Sequence, residues 1–252
     1  MAEGEAEWIC RLYGISKPDE IILEDIAFAR GVIVTEGPLD KMEARLVRSG
    51  DKGLIRIKQD IPNKGQKRFA IAHELGHWEL HSKMTQFFVC TSDDMVASYK
   101  TSTQEGEANI FAATLLMPSN LFLGRANNKE FSFQTISNLA QYFITSLTAT
   151  AIRYVELSND YCAIVCSEQG KIRWWRGSDD FENRFWIVPG KKLSANTIAG
   201  CLFCNNHKSQ GPEEIDIEAW CGRVSYCESD RFIEESKYFE RYNQVITILR
   251  LA

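Results

Sequence analysis

The chain has 252 residues, 44% hydrophobic and 25% charged, with a formal net charge of −5. These proportions describe a folded globular protein long enough for two domains; they exclude a disordered chain and one that is basic overall, though not a local basic patch. No apolar run nears the roughly 18 residues of a membrane-spanning helix, so no membrane partner is expected. The acidic opening from Met1 to Trp8 is unlike a signal peptide, and the expectation is a cytoplasmic protein whose eight cysteines stay reduced.

The first predicted elements are helices over 4–13 and 19–30, the second marked by Ile21, Leu23, Ile26 and Ala27. Gly31 to Val34 reads as a short strand. Residues 38–49 and Leu54 to Ile57 continue as meander strands, punctuated by Gly53. An edge strand beside an active helix can pair with an extended peptide, and Leu54 to Lys58 is the candidate. Lys64, Lys67 and Arg68 make the approach to the next helix basic, as in any solvated loop.

Three of the four histidines then fall within nine residues, at His73, His77 and His81. His73 to His77 reads H-E-x-x-H on a helix whose apolar side carries Phe69, Ala70, Ala72, Leu75, Gly76 and Leu80. Positions four apart on a helix differ in direction by only about 40°, so His73 and His77 share a face and can aim at one zinc ion. Zinc with three protein ligands keeps a fourth position for water and lowers that water's pKa to about 7. Glu74 follows His73 directly, so it points away from the metal yet can reach that water as general base and pass the proton to a leaving amine. The pattern alone also arises by chance on core helices; together with a third ligand it points to peptide hydrolysis. His81 stands about 80° from His73 and is excluded as a shared ligand; it is expected near the helix end, bonded to a carbonyl or to water.

Lys83 occupies the place of a closely spaced third histidine, so the third ligand lies elsewhere. Residues 82–102 are polar and aperiodic, a loop joining the two ligand-bearing helices. They include Cys90, whose thiolate could take the water position as an inhibitory zinc ligand, or whose thiol could simply be buried. Gln104 to Met117 reads as a second helix, capped by Ser102 or Thr103 and ended by Pro118. Its apolar stripe runs through Ala108, Phe111, Ala112, Leu115 and Leu116. Glu105 lies roughly 50° from the centre of that stripe and Glu107 roughly 110°. Glu105 is therefore the expected ligand and Glu107 a solvated neighbour.

R-F-A-I-A-H-E-L-G-H-x-x-L-H followed by E-x-x-A-N-x-F-A-x-x-L-L-M-P resembles the ImmA/IrrE zinc metallopeptidases, over about 20 to 157. The resemblance carries the histidine ligands onto His73 and His77, the catalytic glutamate onto Glu74 and the glutamate ligand onto Glu105. It implies an α+β protein: a zincin-like metallopeptidase domain over 1–126, a helix-turn-helix-like helical module over 127–158, and a GAF-like α/β sensor domain over 159–252. It also implies Zn2+ as cofactor and a helix-turn-helix transcriptional repressor as protein substrate. Cleavage would then derepress a stress, mobile-element or antiphage defence operon. A zinc-stabilised, non-catalytic sensor or DNA-binding regulator is the other reading.

Residues 131–157 have helix-turn-helix spacing, with Leu139, Ala140, Phe143, Leu147, Ala151 and Val155 facing inward. A DNA reader carries a basic footprint, and here only Arg153 stands, against Glu156, which favours a packing or substrate-docking module. From about 159 the pattern changes to strands and turns: Cys162 to Cys166, a turn at Glu168 to Gly170, and Lys171 to Arg176. A helix over Ser194 to Phe203 follows, then strands near Gly222 to Cys227 and Val245 to Leu251. Cys201, Cys204, His207, Cys221 and Cys227 raise a second zinc site, although their spacing fits no ribbon. Over 171–192 six basic residues stand against three acidic ones, among Trp174, Trp175, Phe181, Phe185 and Trp186. Basic side chains with stacking aromatics suit single-stranded DNA, with Lys171, Arg173, Trp174, Trp175 and Arg176 as the nucleic-acid-binding candidates. A sheet whose tryptophans fill its core would look the same.

Overall fold

The computed structural model describes residues 1–40, 42–81, 103–204, 211–222 and 230–252. They form a mixed α+β protein with two sheets. They divide into two compact units: Met1–Asn127 with Asn138–Ala149, and Asn128–Ser137 with Thr150–Ala252. Among the described residues no helix is long and apolar enough to cross a membrane.

The first unit opens with α1 (Ala2–Leu12) and α2 (Leu23–Ala29). The helix expected over 19–30 is shorter than its apolar pattern. Pro18–Glu20 forms a 3-10 turn, with the Glu20 carboxylate accepting from the backbone N–H groups of Ser16 and Lys17, and Ile22 is extended. Three strands follow, β1 (Val32–Gly37), β2 (Ala44–Ser49) and β3 (Lys52–Lys58), in the order β1-β3-β2. β3 runs parallel to β1 and antiparallel to β2. The expectation that Leu54 to Lys58 forms an edge is therefore wrong: β3 is central, and its backbone is paired on both sides. Its alternation, with Ile55 and Ile57 buried and Leu54 exposed, records which face meets the core. It carries no information about neighbouring strands.

Next come α3 (Lys64–Leu80), α4 (Gln104–Leu116) and α5 (Ser119–Ala126). α3 packs on β2, β3 and α4, and α1 packs on α4. Two further helices, α6 (Phe133–Phe143) and α7 (Leu147–Leu157), lie where the helix-turn-helix spacing places them. Their residues are apportioned between the two units.

The second unit is built on an antiparallel sheet of β4 (Cys162–Glu168), β5 (Lys171–Gly177), β6 (Glu213–Asp216), β7 (Arg231–Phe239) and β8 (Gln244–Leu251), in the order β5-β4-β8-β7-β6. Gln169 and Gly170 both take positive φ, 51° and 74°, which a two-residue hairpin turn of the twist-compatible type requires. Helices α8 (Asp179–Arg184), α9 (Ile198–Cys204) and α10 (Ile217–Trp220) complete it. One core gathers Val165, Trp175, Phe181, Phe185, Trp220 and Phe232. The strand expected near Gly222 to Cys227 lies largely outside the described residues.

Candidate metal centre

Two capped helices build the site. α3 begins where the Asn63 side chain accepts from the backbone N–H groups of Gly65 and Gln66, at 2.8 and 3.1 Å. α4 begins at Thr103, whose hydroxyl accepts from the Gly106 N–H at 3.3 Å. Their close approach depends on Gly76, where an added Cβ would come within 3.1 Å of the Ala108 Cα and of Phe111 Cδ1. Ala108 and Ala112, both wholly buried, keep the α4 side of the contact thin. The pairing brings the first turn of α4 over the middle of α3, so Glu105 arrives at His73 and His77.

The three side chains converge. His73 Nε2 lies 3.1 Å from Glu105 Oε2, His77 Nε2 lies 3.3 Å from Glu105 Oε1, and the two Nε2 atoms are 3.0 Å apart. One ligand atom from each residue falls within 4.8 Å of the others, and this is the only such group of three His, Cys, Asp or Glu among the described residues. Outside the triangle, His73 Nδ1 lies 2.9 Å from Asn109 Oδ1, an amide oxygen that can accept from it. His77 Nδ1 meets His81 Nδ1 at 3.1 Å, and His81 Nε2 donates to Glu107 Oε2 at 2.9 Å. Glu74 is wholly buried on the same helix.

The electrostatics suit a cation. Burial pushes the His77 imidazole down to about 4, so it is neutral at physiological pH, as a metal ligand must be. Burial alone would raise the Glu105 carboxyl, but hydrogen bonds from the two imidazoles outweigh it and hold that group well below the usual carboxylate range. Two imidazole nitrogens and one carboxylate oxygen are a donor set that zinc accepts.

The other predicted residues fall out differently. His81 pairs with His77 and Glu107, so Glu107 is a partner in this cluster rather than a merely solvated neighbour. Asn109 was missed, although its place four residues after Glu105 puts it on the same helix face. Cys90 lies outside the described residues, as do His207 and Cys227. Cys201 and Cys204 are exposed, and burial pushes the Cys221 thiol up to about 12; these three form no metal cluster among the described residues. On β5, an edge strand among the described residues, Lys171 and Arg173 are exposed, with Arg173 paired to Glu168, while Arg176 donates to the Trp175 carbonyl. Trp174 is half-buried. Trp175 is 6% exposed and packs into the core, so it is no stacking platform; Trp186, edge-on to it, is 57% exposed.

A profile of the peptidase M78 family, described as the IrrE N-terminal-like domain, matches residues 28–154. Among solved structures, a Mycobacterium tuberculosis transcriptional regulator is similar in fold, with a TM-score of 0.62 and 16% identity over 99% of this chain and 87% of that one. No curated protein matches the chain.

Proposed function

Because the chain belongs to the IrrE N-terminal-like peptidase family, we propose that it is a zinc-dependent endopeptidase acting on a regulatory protein. The observation that carries this reading is the convergence of His73, His77 and Glu105 beside a wholly buried Glu74. His73, His77 and Glu105 would hold the ion. When bound, zinc supplies the Lewis acidity that activates water and polarises the scissile carbonyl. Glu74 takes the proton of the attacking water on its carboxylate and delivers it to the leaving amine nitrogen, so the amine departs neutral. The helix pair excludes bulk water from the two histidines and orients both Nε2 atoms. β2, which among the described residues pairs with β3 alone, is the strand we assign to backbone pairing with an extended substrate. Arg48 of β2 stacks on the ring of Trp78, the residue after His77, at 3.5 Å.

The substrate we assign is a helix-turn-helix repressor, cleaved to release a stress, mobile-element or antiphage defence operon in the cytoplasm. In this reading the first unit is the zincin-like catalytic part and 159–252 a GAF-like sensor, with single-stranded DNA as its activating ligand. The related fold of a transcriptional regulator keeps a second reading in view, a DNA-binding protein with a structural metal. Against it, Arg153, the one basic side chain of α6 and α7, is 1% exposed and presents no charge to a phosphate backbone. Co-expression with the product of an adjacent helix-turn-helix gene, followed by mass spectrometry, tests the assignment. A single new terminus in that partner is expected; an intact partner under conditions where the chain carries zinc would overturn it.

A further inference from the structure

A metal ion held by His77 through Nε2 would take the electron pair there and leave the ring's proton on Nδ1, where the hydrogen bonds outside the triangle receive it. Glu107 offers carboxylate oxygens, which only accept, so the His81 nitrogen facing it at 2.9 Å, Nε2, is the protonated one. His81 Nδ1 faces His77 Nδ1 at 3.1 Å, so a proton held on His77 Nδ1 has an acceptor there. On the inner side the Glu105 carboxylate faces His77 Nε2 at 3.3 Å and would accept a proton held there instead, and the ring would then offer no electron pair where the ligand atoms meet. His73 has Asn109 Oδ1 as its outer acceptor.

We propose that His81 and Glu107 are positioning residues that lock the Nε2-donor tautomer of His77 through a two-step hydrogen-bond chain from the protein surface to the metal centre. The proposal rests on the reading of His73, His77 and Glu105 as zinc ligands. The chain is graded in exposure: His77 is 1% exposed, His81 9%, and the Glu107 side chain 35%. The outer member can therefore be replaced without opening the core. A neutral imidazole in water favours the other tautomer, with the proton on Nε2, and that form cannot bind a metal through Nε2. Outer partners of metal-bound histidines typically contribute about 10- to 100-fold to metal affinity, by fixing tautomer and ring orientation.

The test uses the full chain with histidine rings labelled in 15N. In zinc-loaded protein, long-range 1H–15N correlation should show His77 protonated on Nδ1 and His81 on Nε2. Glu107→Gln keeps an oxygen that accepts from His81 and should preserve this pattern, whereas Glu107→Ala should let His81 populate the other tautomer. In chelator competition, Glu107→Ala and His81→Phe should weaken zinc about 10-fold or more, while still binding one equivalent at saturation, and Glu107→Gln should stay near wild type. A His81 protonated on Nδ1 in the zinc-loaded wild type, or Glu107→Ala with unchanged tautomers and unchanged affinity, overturns the proposal. Glu105→Ala distinguishes this failure from that of the ligand reading. If it binds zinc as the wild type does, the ligand reading falls, while the His81 tautomer with and without Glu107 still decides the His81–Glu107 chain.

Discussion

At His77, burial and chemistry point the same way. A ring 1% exposed resists protonation, and its pKa falls from 6.5 to about 4. In the unfolded chain the same ring takes up a proton near its ordinary value of about 6.5. The unfolded state therefore binds more protons between those two values, and stability falls as the pH drops through that window. The stability carried by neutral His77 is complete above about pH 6.5 and gone once the pH is below about 4. The melting temperature of zinc-free protein should drop steadily from pH 7 towards pH about 4, and His77→Gln should flatten that part of the profile. An equally steep profile in the variant would show that other groups are responsible. Much of the candidate site was legible at this scale, because the H-E-x-x-H spacing and the helical wheel of the second helix single out His73, His77 and Glu105. The bonds of His81 to Glu107 and of Asn109 to His73 were not, since they run between helices whose relative placement no local pattern states. The four-residue step from His77 to His81 was the available clue.

At the scale of elements, the pairing of α3 with α4 makes the site, and Gly76 sets how closely they approach. Glycine inside a helix costs roughly 0.5–1 kcal/mol relative to alanine, so its presence needs a reason. The reason is Ala108, whose Cα would stand 3.1 Å from a Cβ at position 76 and is backbone that cannot swing aside. Gly76→Leu should destabilise the fold by about 1–3 kcal/mol, as overpacking does, and should weaken zinc binding with it, because α4 carries Glu105. Gly4 in α1 has nothing within 4 Å of its Cβ position, so Gly4→Ala should be neutral or slightly stabilising. Thermal melts of the two variants with zinc titrations check this; a Gly76→Leu protein that melts and binds zinc normally would refute the close-approach account. Helices were readable here because caps and apolar stripes are local: Asn63, Thr103 and Pro118 all stand where α3 and α4 start or stop. Strand order was not readable. β1 pairs with β3 across the intervening β2, a non-local parallel pairing that no alternation pattern encodes.

For the whole molecule, the second unit is a body of its own that peptide hydrolysis does not require, and we assign it the control of the first. Its aromatic residues divide by burial. Trp175 belongs to the core, so Trp175→Ala should cost about 3–5 kcal/mol in stability. Lys171, Arg173, Lys192 and the 57% exposed Trp186 are the exposed groups that a nucleic acid would meet. Labelled single-stranded oligonucleotides should bind with a strong salt dependence, and each charge removed in Lys171→Ala or Arg173→Ala should reduce the logarithmic salt slope by about 0.7. These two variants should melt as the wild type does. Anisotropy at two salt concentrations reads the binding, and repressor cleavage with and without DNA reads the control. No binding at low salt, or equal cleavage with and without DNA, would leave the second unit without this ligand.

If His73, His77 and Glu105 hold zinc while Glu74 handles the proton, Glu74→Gln removes the base and leaves the ligands in place. Metal analysis and cleavage of the repressor are read on the same purified protein. About one equivalent of zinc is expected, as for a site with its three ligands intact, with cleavage abolished. A Glu74→Gln protein that keeps its zinc and still cuts the repressor would contradict that division of roles.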